Sequence, residues 1–353
     1  MNLVINENAN LEIEKKDKLM YIEVLRIISC FAVILLHCVS SVVTNYEIYG
    51  TTTWNLANLI NAMTRFAVPI FFMISGFLAL HSKKEIKIID FIKKKFVRLV
   101  IPLFAFSFFY YFLAFRGTDS FSILDFLFKF ISKDVEYHLW FMFSLFALEL
   151  LVPLLKKLDK QTLIYIFTLS ILSTTICPFI NKIFDVWLFR FEPLMYGYVG
   201  FFILGYLLGT AEFSKKQRLG IYLSGVVWIL ISYFGNIYFS SFGKLDLYFN
   251  GGYTINLYFI ATAIFVFAKY NFNEIKNIFI NKSIIKLGSL SFYAYLFHVF
   301  ALNTCKNIPN SGHILELVLL AIPTFLFSML LAYVLNEVLK IFKKNCKEKS
   351  IAN

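Results

Sequence analysis

Ten apolar runs divide almost the whole chain, at about 21–43, 56–80, 97–115, 138–155, 161–180, 194–210, 218–240, 253–269, 283–304 and 314–340. A helix needs about 20 mostly apolar residues to cross a bilayer, and most of these runs approach or exceed that length. A chain with 59% hydrophobic and only 16% charged residues cannot cover so much apolar surface with a soluble exterior. Short alternating segments, the mark of a membrane β-barrel, do not occur. The sequence predicts an all-α, polytopic integral membrane protein of about ten transmembrane helices.

The net charge of +12 is distributed in a way that argues against nucleic acid. Basic residues crowd alternate connections: Lys15, Lys16 and Lys18 before the first run, Lys83 to Arg98 after the second, Lys156, Lys157 and Lys160 after the fourth, and Lys215, Lys216 and Arg218 after the sixth. Lys269, Lys276, Lys282 and Lys286 lie between the eighth and ninth runs, and Lys340 to Lys349 follow the tenth. The intervening loops hold few. Positively charged loops stay on the cytoplasmic side, so both termini are expected there and the helix count is even. The organisation read from this pattern is a cytoplasmic tail at 1–20, polar and disordered or an amphipathic lead-in. One transmembrane domain follows at 21–340, then a basic cytoplasmic tail at 341–353. The first run is too long for a signal-peptide core and is read as a retained anchor. Five scattered cysteines (Cys30, Cys38, Cys177, Cys305, Cys346) lack metal-ligand spacing and read as small apolar residues, so no metal is expected.

Polar residues inside apolar runs are costly and need a partner or a task. In the first run, YIEVLRIISCFAVILLHCVSSVV, Arg26 and His37 stand eleven residues apart. Eleven residues make almost three helical turns, which puts both on one face about 16 Å apart. Taken singly, Arg26 reads as a side chain snorkelling to the headgroups and His37 as an imidazole bonded to a neighbouring helix. As a pair on one stripe they point to chemistry, because a neutral histidine in a cavity is a natural general base.

Other runs carry groups able to meet that stripe. The second contains Arg65, Ser75 and Gly76; the Ser-Gly pair suits close helix approach, and Arg65 fits either an interface or a polar cavity. The fourth opens with His138 and Trp140 at the outer surface, where His138 can form a second polar wall at the level of His37. Glu149, deeper in that run, calls for a cationic partner such as an arginine. In the ninth, Ser291, Tyr295 and His298 share a face. Lys94, Lys95 and Arg98 precede Pro102 at the third run, either for topology and anionic lipid or as a patch for an anionic cofactor. Nucleotide-binding glycine loops, zinc-protease motifs and hydrolase nucleophile elbows are absent from the sequence.

These stretches together resemble the membrane acyltransferase-3 family, bacterial O-acyltransferases that modify cell-surface glycans. The resemblance rests on Arg26 and His37, on VPIFFMISGFL (Val68–Leu78), on Lys94, Lys95, Arg98 and Pro102, on HLWF (His138–Phe141), on RFEPLMYGYVGFFILGYLLG (Arg190–Gly209) and on SFYAYLFH (Ser291–His298). It covers roughly residues 20–340, and the helix-one pair is its most specific element. Lysines stand where the family often has arginines before the third helix. The resemblance implies acetyl-CoA or a related acyl-CoA as donor, with its phosphates on Lys94, Lys95 and Arg98 and its pantetheine arm passing near Arg26. His37 is implied as general base on an acceptor hydroxyl or as transient acyl carrier. Arg65, Ser75 or His298 would polarise the thioester carbonyl. The implied acceptor is a surface polysaccharide or lipid-linked glycan, and the implied location is the bacterial plasma membrane. A transporter or flippase of a polysaccharide-assembly pathway, or a non-catalytic assembly partner, are the rival readings.

Overall fold

The computed structural model describes residues 20–118, 120–184, 197–273, 277–306 and 314–351, with side chains of the last helix to Phe342. The N-terminal tail and the Arg190–Tyr196 part of the sixth-run motif lie outside these residues. The described residues are all-helical: α1 Met20–Val43, α2 Thr52–Thr64, α3 Ala67–His81, α4 Ile88–Lys95, α5 Ile101–Phe115, α6 Ile123–Ser132, α7 Trp140–Leu155, α8 Lys160–Ile171, α9 Cys177–Phe184, α10 Val199–Thr210, α11 Lys215–Ser240, α12 Ile255–Asn271, α13 Ile278–Cys305 and α14 Ile314–Ile351. Eight helical stretches are long and apolar enough to cross a membrane, which makes this a multi-pass membrane protein. The other two expected runs form the shorter apolar helices α10 and α12. At 1.5 Å per residue, the 12 residues of α10 span only about 18 Å.

Three of the long stretches are interrupted next to a proline. The second expected span is two helices, interrupted at Arg65 and Phe66. Pro69 has no N–H to offer the Arg65 carbonyl four residues back, and its ring crowds that carbonyl. The third begins earlier than expected. Ile88–Lys95 is helical and passes through a π-helical turn, Phe96–Val100, into α5. The turn ends just before Pro102, which removes the bond to the Arg98 carbonyl and widens the helix there. A second π turn, Leu172–Ile176, precedes Pro178 in the same way. The basic segment expected as a tail continues α14 as helix to Ile351.

Two compact units are defined by packing: residues 1–71 with 212–353, and residues 72–211. In the first, α13 packs along α14 and α1, α1 also packs on α2 and α14, and α11 pairs with α12. Cys30, Ile34, Cys38, Leu290, Ala294, Leu302 and Cys305 share one buried apolar cluster of that unit. In the second, glycines let α3 and α10 touch backbone to backbone. A Cβ on Gly76 would lie 1.8 Å from the Phe202 carbonyl oxygen, and one on Gly205 would lie 1.9 Å from that of Met73. The close approach expected of the Ser-Gly pair is therefore made by Gly76.

The second unit also pairs its buried charges. Lys95 Nζ lies 2.6 Å from Glu149 Oε2, with the two side chains 17% and 8% exposed. The partner of Glu149 is thus a lysine rather than an arginine, supplied by the turn before the π segment. Removing one member of such a pair leaves a charge in apolar surroundings. Glu149→Leu is expected to lower stability by ~3 kcal/mol, and the double variant Lys95→Met, Glu149→Leu to recover most of that loss. Thermal unfolding in detergent measures both.

Candidate active site

The first unit brings together His37, His298, Tyr295 and Arg65. The His37 and His298 rings stack with centroids 5.3 Å apart and planes inclined by 25°. His37 is partly buried and His298 fully buried. The Nδ1 atom of His298 meets the Tyr295 carbonyl. A carbonyl only accepts, so Nδ1 carries the proton and the His298 tautomer is fixed. The Tyr295 ring lies 5.1 Å from the His298 ring and takes an edge-to-face contact with Phe71. Arg65 and Lys306 are both close enough for their charges to act on His37.

Arg65 is held by a set of asparagines that sequence reasoning did not single out. Its Nε donates to Asn61 Oδ1 at 2.8 Å and its Nη1 to the Asn250 carbonyl at 2.6 Å. Asn236 donates to both Asn58 Oδ1 and Asn250 Oδ1 at 3.0 Å, and Asn58 donates to the Tyr233 carbonyl. Asn256 donates to the Phe249 carbonyl. All five asparagines are buried. The helix break at Arg65 places its guanidinium at this junction, and the amides fix it there by directed bonds. Arg65→Lys keeps the charge but cannot serve both oxygens with one planar head. The expected result is a loss of ~1–3 kcal/mol, read as a lower unfolding temperature.

Arg26 belongs to a different cluster. Its Nη1 pairs with Glu23 Oε1 at 2.6 Å, one helical turn earlier on α1. Glu23 in turn fits against Gly288 of α13, where an added Cβ would meet its Oε2 at 2.2 Å. The sequence places Arg26 and His37 on one stripe; the structure gives each its own neighbours, and buried Cys30 and Val33 occupy the helix between them. Glu23 and Gly288 were missed, although the i, i+3 spacing of Glu23 and Arg26 inside an apolar run was a readable signal. Ser291, which shares a face with Tyr295 and His298, spends its hydroxyl on the Gly288 carbonyl of its own helix.

The remaining candidates lie in the second unit. Lys94 and Arg98 are exposed, and Arg98 sits on the π turn. Lys95 is committed to Glu149. Ser75 is partly buried on α3. His138 is buried, with its ring edge-to-face on Tyr110 at 5.1 Å. Trp140 stacks on Tyr198 at 5.4 Å, and Tyr198 on Phe72 at 4.2 Å, an aromatic column rather than an exposed interface belt.

The described residues thus define a multi-pass helical membrane protein with two stacked histidines and a hydrogen-bonded arginine in one unit. Residues 19–335 match the acyltransferase-3 family model, described as an acyltransferase domain. The chain belongs to that family and is a membrane acyltransferase. Searches of curated proteins and of solved structures find no match.

Proposed function

We propose that the protein is an O-acyltransferase, with acetyl as the acyl group, that moves it from cytoplasmic acyl-CoA to a hydroxyl of a surface or lipid-linked polysaccharide in a bacterial plasma membrane. The observation that carries this reading is the His37–His298 stack within a family of acyltransferases. His37 is the member of the pair with exposed surface, and it is the proposed general base. It takes the proton of the acceptor hydroxyl as that oxygen attacks the thioester carbonyl. The carbon–sulfur bond then breaks, the ester forms, and the thiolate leaves with the proton returned by the imidazolium. His298, its tautomer fixed by the Tyr295 carbonyl, sets the orientation of the His37 ring. Arg65 supplies positive charge toward the developing oxyanion.

For the donor phosphates the proposal assigns Lys94 and Arg98, which are exposed and carry no ion pair among the described residues. Lys95 is left to its structural pair with Glu149. Lys94→Ala with Arg98→Ala is expected to raise KM for acyl-CoA about tenfold while kcat changes little, since these contacts bind the donor before and during transfer alike. Mass spectrometry of surface glycans from cells with and without the protein tests the whole reading. The expected difference is a population of glycan heavier by one acetyl group in cells that have it; identical glycan masses would overturn the assignment of the acceptor.

A further inference from the structure

Between α11 and α12, away from the histidines, two cavities share Tyr222 and Phe267 as common walls. The first, about 220 Å³, is lined by Lys215, Arg218, Tyr222 and Asn271. The second, about 190 Å³, is apolar and runs on past Gly225 and Val226 to Ile229 and Ala263. They form one groove with a basic mouth and an apolar floor. Gly225 makes the floor: a Cβ there would come within 2.5 Å of the Ala263 Cβ.

The mouth is built rather than incidental. The Arg218 guanidinium lies over the Tyr270 ring at 4.3 Å, and Arg218 Nε is buried with no hydrogen-bond partner among the described residues. Tyr270 is itself fixed, because its hydroxyl donates to Glu212 Oε2 at 2.7 Å and accepts from the Phe213 N–H at 2.6 Å. That hydrogen bond, with Lys269 alongside, holds the Glu212 carboxyl below its usual range and keeps it anionic at neutral pH. Ser214 and Gln217 form a capping box that starts α11 at this point, so the positive end of the helix also faces the mouth.

We propose that this groove binds an anionic phospholipid, with its phosphate at Lys215 and Arg218 and one acyl chain along Tyr222, Gly225 and Ile229. Three features favour a membrane lipid over a free anion. From Arg218 to Ile229 the groove follows eleven helical residues, about 16 Å, which is close to the hydrocarbon depth of one leaflet. The α11 span is only 17% buried, so the groove opens on the face that lipid must cover. Its basic end is the one that loop charges assign to the cytoplasm, where anionic lipids concentrate. The site is independent of the transfer chemistry.

Native mass spectrometry of the full-length protein tests it, after delipidation and titration with phosphatidylglycerol or phosphatidylcholine. Wild type is expected to retain phosphatidylglycerol at least tenfold more tightly than phosphatidylcholine. Lys215→Gln with Arg218→Gln is expected to abolish that preference, and Val226→Trp, which fills the groove from its exposed wall, to weaken retention of both lipids. Circular dichroism confirms that each variant is folded. Equal retention by wild type and the Gln variant would overturn the proposal. So would displacement of the lipid by glycerophosphoglycerol, the headgroup without chains, at comparable concentration, because a free-anion site would then suffice.

Discussion

Replacing His37 with alanine is expected to reduce acyl transfer about 10³-fold or more while the protein still inserts and folds. General acid–base catalysis by a positioned side chain contributes 10²–10⁴-fold, and no other imidazole in the described site has comparable exposure. Folding survives because His37 is only partly buried and its ring lies against one face of His298 rather than filling the apolar cluster formed by Ile34, Cys38 and Ala294. His298→Gln is expected to cost less, about 10–100-fold in kcat with little change in KM, since it orients the base rather than taking the proton. A transfer assay on detergent-purified variants, paired with a thermal unfolding curve for each, separates lost chemistry from lost fold. Wild-type rates in the His37→Ala protein would remove the base from the mechanism.

The second large effect is structural. Gly76→Val is expected to destabilise the protein by ~3 kcal/mol or more, or to prevent its accumulation in the membrane. Its Cβ would lie 1.8 Å from the Phe202 oxygen, 2.6 Å from the carbonyl carbon and 2.9 Å from Cα, all backbone atoms that cannot rotate aside. Gly205→Ala is expected to act in the same way against Met73. Gly220, in α11, is the control: no atom lies within 4 Å of an added Cβ, so Gly220→Ala is expected to be neutral or to stabilise by ~0.5–1 kcal/mol. Unfolding temperatures that fell equally at all three positions would contradict the close α3–α10 contact.

The sequence exposed those features that repeat locally or cost energy wherever they fall. All ten apolar runs appear as helices, and the face shared by Tyr295 and His298 is realised because helical spacing alone puts residues three apart together. Arg65 and His298 stood out as polar groups in apolar runs, and the structure gathers both around His37. Partners from distant runs could not be read. Asn236 reaches Asn58 across 178 residues and Lys95 reaches Glu149 across 54, distances at which periodicity carries no information. An asparagine in an apolar run is also less conspicuous than a charge, so the clamp around Arg65 went unnoticed. Short helices are hard to read for a related reason: Ile88–Lys95 and Ile123–Ser132 have only 8 and 10 residues, too few for a helical period to stand apart from loops. Helical spacing puts Arg26 and His37 on one stripe, but it does not reveal that Glu23 holds the arginine.

The most direct test follows labelled acyl groups. Purified protein is reconstituted into vesicles and supplied with acetyl-CoA labelled in the acetyl carbon, with a polysaccharide acceptor present. Wild type is predicted to move label into ester linkage on the glycan with release of one free thiol per ester, and His37→Ala to move almost none. Movement of glycan or solute across the bilayer with acetyl-CoA unconsumed would contradict the account.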